Sequence, residues 1–96
     1  MTTPAEISFR DNADAGRFEI LVGDEVAGFA ERTIADGVAT MPHTVVEKTY
    51  DGQGLGSKLA VFALDSVREQ GLKVRPLCPF IKGYIERHEQ YADLVV

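Results

Sequence analysis

Four groups of residues have types and spacing suited to chemistry. The first is Tyr50-Asp51-Gly52-Gln53-Gly54-Leu55-Gly56-Ser57, three glycines in eight residues. Glycine lets the backbone turn tightly and lets an anion approach the amide N–H groups. Where such a turn opens a helix, the unpaired N–H groups and the helix dipole favour a phosphate or pyrophosphate. The same residues also read as a plain strand-to-helix loop whose glycines serve sterics. No Gly-Lys-Ser/Thr follows, so this is not a P-loop. The second group centres on Cys78 in Leu77-Cys78-Pro79-Phe80. If Pro79 is the first helical residue, Cys78 is the N-cap, where the positive helix end favours a thiolate nucleophile. A buried inert thiol is the alternative. The third is His43 in Met41-Pro42-His43-Thr44-Val45, a possible general base or an ordinary solvated histidine. The fourth is Tyr84, His88 and Tyr91, at i, i+4 and i+7. That spacing mostly describes one packed helix face, although a tyrosine hydroxyl can also serve as an acid.

These residues need elements to position them. Up to about Tyr50 the chain alternates like strands. Ile7 and Phe9 alternate with polar residues, then Phe18, Ile20 and Val22 do the same. Asp11–Gly16 reads as a turn, and Gly23-Asp24 and Asp36-Gly37 as two-residue hairpin loops. Val26, Gly28, Ala30, Arg32 and Ile34 would share one face of a third strand, and Val38 to about Val46 a fourth. Pro42 interrupts that fourth strand and would leave part of it unpaired, free to bond an extended ligand. Beyond Tyr50 the period turns helical: Leu55, Leu59, Phe62, Ala63 and Val67 fall on one face, and Gly71 suits a left-handed C′ position. The helix should run from Leu55 to about Gln70, followed by a strand over 72–77 and a helix from Pro79. Phe80, Ile81, Tyr84, Ile85 and His88 would line one face of that second helix, and Tyr91–Val96 would form a last short strand. The expected fold class is α+β: an antiparallel β-meander, then helix-strand-helix, with the last strands paired parallel.

Composition narrows the function. Ninety-six residues make one domain, 1–96. The formal net charge is −5, which argues against nucleic acid and against an anionic membrane surface. A single cysteine excludes an internal disulfide and a cysteine-based zinc site. No metal is expected. No apolar run approaches a membrane span, and residues 1–16 do not look like a secretory signal, so a cytoplasmic protein is expected. Residues 1–48 hold nine acids and four bases, whereas residues 49–96 hold six of each.

The glycine turn, the strand ending His43-Thr44-Val45-Val46, and above all the run from Cys78-Pro79-Phe80 through His88 to Tyr91-Ala92-Asp93-Leu94-Val95 resemble the GNAT acetyltransferase superfamily, and within it the short YjdJ-like branch. The resemblance covers Ile7 to Val95, and the Cys-Pro-Phe run is its more specific part. It implies a mixed sheet with splayed central strands and acetyl-CoA as co-substrate. It places the pyrophosphate on Asp51, Gly52, Gln53, Gly54, Leu55, Gly56 and Ser57. It lays the pantetheine arm along Thr44, Val45 and Val46, and makes Cys78 and His43 the catalytic pair. The implied reaction is acetyl transfer to a small amine or a peptide amine, either through an acetyl-Cys78 thioester or by direct attack. The protein would be a monomer or weak dimer, and an acidic meander would steer a cationic amine toward it.

Two features depart from the superfamily pattern. Asp51 stands where Arg or Gln usually opens the glycine motif, and a carboxylate there is unfavourable unless it points away or pairs with Lys48 or Lys58. The chain also has no helical pair between its first two strands, which leaves the acceptor side open. A CoA-binding module without turnover, or a purely structural domain, are the competing readings.

Overall fold

The computed structural model describes residues 6–96. Strands β1 (Ile7–Asn12), β2 (Arg17–Val22) and β3 (Glu25–Glu31) form an antiparallel meander. Gly23-Asp24 closes the second hairpin, with Gly23 at φ +61°. The first turn is shorter than expected, because Asp11 and Asn12 still pair with Phe18 and Arg17. Phe18 and Ile20 point into the core. Glu19, between them, faces the other way and is covered by Arg10, Arg17 and Asn12, all three of which donate hydrogen bonds to its carboxylate. Burial pushes the Glu19 carboxyl up, but those three hydrogen bonds together outweigh it and hold the group below the usual range.

The third and fourth strands do not run unbroken. The third ends at Glu31 and resumes as β4 (Thr33–Ala35); the fourth is split into β5 (Val38–Met41) and β6 (Thr44–Val46). Arg32 makes the first break. Its backbone N–H bonds to Gly16 O at 2.9 Å, while its buried guanidinium pairs with Asp11 at 2.6 Å and lies over the Phe18 ring. Pro42 makes the second, having no N–H to offer a ladder. The two halves join different sheets. One sheet runs β1-β2-β3-β6, and the other β4-β5-β7, where β7 (Lys73–Pro76) lies parallel to β5. β5 and β6 therefore part company at Pro42, and the gap between them is the splay implied by the resemblance. Asp36-Gly37 joins β4 to β5 with both residues at positive φ.

Helix α1 (Leu55–Glu69) buries Leu55, Leu59, Ala60, Ala63, Leu64 and Val67 against the sheets. It ends in a Schellman motif: Leu72 N–H bonds to Val67 O, Gly71 N–H bonds to Arg68 O, and Gly71 sits at φ +71°. Helix α2 (Pro79–Arg87) follows β7 directly, with Pro79 at its first position. The last segment departs from expectation. Glu89–Leu94 is a 3₁₀ helix, and only Val95 makes a parallel bridge, to Val74. Three side-chain ties hold it in that form. Arg68 forks onto Asp93, Lys73 bonds to Asp93 O, and the Tyr91 hydroxyl donates to Asp65 at 2.9 Å. Burial first, and then Asp65, push the Tyr91 phenol up to about 12. Among the described residues, no helix is long and apolar enough to cross a membrane.

Candidate active site

The glycine turn is built by backbone conformations that other residues rarely adopt. A single 3₁₀ turn over Lys48–Tyr50 leads from β6, and Gly52 and Gly54 then sit at φ +80° and +71°. Gly54 caps α1 from the left-handed region, and no side chain caps the helix. The first intrahelical bond runs from Lys58 N–H to Gly54 O, so the N–H groups of Leu55, Gly56 and Ser57 have no partner within the helix. They open onto a cleft of about 270 Å³ bounded by Val46, Tyr50, the glycine turn and Phe80. Gly56 is small for a reason: a Cβ there would meet Phe80 Cζ at 3.1 Å. Of the expected turn residues, Asp51, Gly52, Gly54, Leu55, Gly56 and Ser57 line the cleft, and Gln53 does not. Asp51 is exposed and, among the described residues, forms no ion pair with Lys48 or Lys58.

One edge of β6 leads away from this cleft. On the β3 side, His43 O accepts from Glu31 N–H and Glu47 N–H donates to Ala27 O. Alternate residues bond across an antiparallel ladder, so Val45 turns the same way, and Thr44 and Val46 direct their backbone groups to the opposite edge. Among the described residues, no strand pairs with that edge. Gly28 lets β3 approach closely enough to hold β6 there, since a Cβ on it would lie 2.7 Å from Val45 O.

Cys78 stands at the other end of the same edge. It is the N-cap of α2, and its N–H bonds to Met41 O where β5 and β7 stop pairing. The thiol is buried and donates to Thr44 Oγ1 at 3.3 Å. Thr44 and Val46 share one side of β6, so one strand carries the cysteine contact at one end and the cleft wall at the other. Among the described residues, no hydrogen bond joins His43 to Cys78. His43 is exposed, and among the described residues its ring forms no hydrogen bond. Tyr84, His88 and Tyr91 pack together but not on one helix face, because α2 ends at Arg87 and Tyr91 lies in the 3₁₀ segment that follows. Tyr84 and Tyr91 are buried, and the His88 ring stacks on Tyr84 at 3.9 Å with Nδ1 2.8 Å from Tyr84 O. Sequence reasoning missed Tyr50 and Phe80 as cleft walls. The one available hint was a glycine at the second helical position, which asks for a bulky neighbour.

The GCN5-related N-acetyl-transferase family matches residues 17–94, most of the chain. The chain belongs to this family. Solved structures share the fold. A GCN5-like protein from Staphylococcus aureus, regarded as an N-acetyltransferase, superposes with a TM-score of 0.69 at 25% identity. The likeness covers 99% of this chain and 91% of that one. The ribosomal-protein-S18-alanine N-acetyltransferase from Escherichia coli superposes with a TM-score of 0.64 at 18% identity, over 85% of this chain and 74% of that one, and shares the fold. No curated protein matches the chain. Among the described residues, no group of three or more His, Cys, Asp or Glu could hold a metal ion.

Proposed function

We propose that this GCN5-related N-acetyltransferase moves an acetyl group from acetyl-CoA to an amine and belongs to the short branch of the superfamily that its Cys-Pro-Phe run resembles. The observation that carries the proposal is the geometry of β6. Its free edge runs from a buried thiol at Thr44 to an uncapped helix N-terminus beyond Val46. An extended amide-bearing arm fits the edge formed by Thr44, Val45 and Val46, and a pyrophosphate fits the N–H groups between Asp51 and Ser57. When bound, acetyl-CoA supplies an activated thioester carbonyl.

The residues then divide the proton work. Cys78 holds its proton at Sγ, donated toward Thr44 Oγ1, and can give it to the departing sulfur. His43, exposed beside the strand break, takes the proton that the amine loses. Direct attack by the amine is favoured over an acetyl-Cys78 route. That route needs a base on the thiol, and among the described residues the Cys78 sulfur bonds only to the Thr44 hydroxyl. The open acceptor side and the acid-rich meander suit a small or peptide amine carrying positive charge.

One observation favours a second reading. The unpaired Asp51 carboxylate on the cleft wall opposes a pyrophosphate, as in a CoA-binding module without turnover. Acetyl transfer over polyamines, amino acids and peptides, with calorimetry for CoA, separates the two. The proposal expects transfer, and a kcat lower by about 10²-fold in Cys78→Ser. Saturable CoA binding with no transfer to any amine would favour the module. An acetyl adduct in the intact mass that Cys78→Ser abolishes would instead establish the thioester route.

A further inference from the structure

Tyr50 belongs to the cleft wall but not to the glycine motif. Its ring is half-buried, and its hydroxyl donates to Glu25 Oε2 at 2.9 Å, across to the first residue of β3. Its ring also packs against the core, and Leu55 at the far end of the turn is buried there, so the residues between them are held mainly from their two ends. Tyr50 and Asp51 N–H groups bond only to Glu47 and Lys48 carbonyls just behind them. Around Gly52 and Gly54 nothing lies within 4 Å of where a Cβ would sit, so that side of both left-handed residues faces open space. Among the described residues, Tyr50–Glu25 is the one side-chain hydrogen bond that joins residues 48–57 to the sheet.

We infer that Tyr50 is a positioning residue, whose hydrogen bond to Glu25 holds the entry to the glycine turn in register between the free edge of β6 and the N–H groups at the start of α1. The inference rests on the acetyl-CoA reading above and adds to it. A substrate that must touch both the strand edge and the helix start binds well only when their spacing is held in advance. Losing the bond leaves Cys78 and Thr44 where they are, because Met41 O and α2 position Cys78 and the β3–β6 ladder positions Thr44. The effect falls on substrate binding and spares the chemical step.

The test uses the full chain with Tyr50→Phe, Glu25→Ala, Glu25→Gln and the Tyr50→Phe/Glu25→Ala double variant. KM and kcat for acetyl-CoA, calorimetric CoA affinity and Tm are measured for each. Tyr50→Phe and Glu25→Ala should each raise KM and the CoA Kd about five- to tenfold with kcat within twofold. The double variant should match the single ones, because both remove the same bond. Glu25→Gln should restore most of the affinity, since its amide oxygen still accepts the hydroxyl. Unchanged Kd in both single variants, additive losses, or a fall in kcat and Tm without a change in KM would each overturn the inference. If the wild-type chain binds no CoA, the acetyl-CoA reading fails and this inference fails with it. If the wild type binds and the variants bind equally well, only this inference fails.

Discussion

Gly28→Ala puts the site's construction under direct strain. Gly28 lies opposite Val46 in the β3–β6 ladder. The added Cβ would stand 2.7 Å from Val45 O and 3.3 Å from both Val46 Cα and Val46 Cγ2. Two of the three neighbours are backbone, so relief requires β6 to move by a few tenths of an ångström toward its free edge. Overpacking of this kind costs about 1–3 kcal/mol. Replacing a strand glycine returns about 0.5–1 kcal/mol of chain entropy. The net cost is about 0–2.5 kcal/mol with a midpoint of about 1, which for a domain of this size lowers Tm by about 4–8 °C. The displaced edge is the one proposed to receive the pantetheine arm, so CoA affinity should fall along with stability. Thermal denaturation followed by circular dichroism, with calorimetry below the transition, reads both. A Tm equal to or above the wild type would mean that the entropy gain dominates and that the close approach of β3 to β6 is not a constraint, which refutes the reasoning.

Glu19→Gln should destabilise the fold by about 1.5–3 kcal/mol at pH 7, because Arg10 and Arg17 lose a buried carboxylate. The Glu19 carboxyl sits below its ordinary 4.5, so its contribution is complete above that value and fades as the pH falls through the lower folded-state value. Urea titrations of both proteins should therefore converge in acid; a gap that widened there would contradict the pairing. The Tyr91 phenol is raised from 10.0 to about 12, so the stability it adds is complete below pH 10 and disappears as the pH rises through 12. Tyr91→Phe should cost stability at neutral pH, and the difference should close at the alkaline end of a denaturant series. Gly56→Ala should hold or raise Tm, since alanine favours a helix by about 1 kcal/mol over glycine. It should nevertheless weaken CoA binding several-fold by pushing the Phe80 ring into the cleft; unaltered affinity would remove Phe80 from the site's walls.

What could be read from the amino acids was set by neighbours close in sequence. Gly23-Asp24 and Asp36-Gly37 mark their hairpins because only a few residue types tolerate positive φ. α1 and its end at Gly71 follow from a 3.6-residue period and one glycine. Pro79 announces the first turn of α2, and with it Cys78 as N-cap. Features made by distant partners were hidden. The break at Arg32 depends on Asp11, Gly16 and Phe18, so periodicity ran straight through it. Tyr91–Val96 is apolar enough for a strand, but Asp65, Arg68 and Lys73 hold most of it as a 3₁₀ helix. At the site the glycine turn was legible by type. Thr44 as the partner of Cys78 was not, because that contact joins residues 34 apart across the splay. Tyr50 and Phe80 escaped for the same reason, since each is defined by what it meets in space.

The central claim is that acetyl-CoA lies along the free edge of β6 and over the start of α1. Titrating the labelled chain with acetyl-CoA and following amide shifts by NMR tests it most directly. Saturable shifts are expected at Thr44 and Val46, at Gly52 and Gly54 through Ser57, and at Cys78. Shifts confined to the β1–β2 hairpin, or none at millimolar ligand, would contradict it.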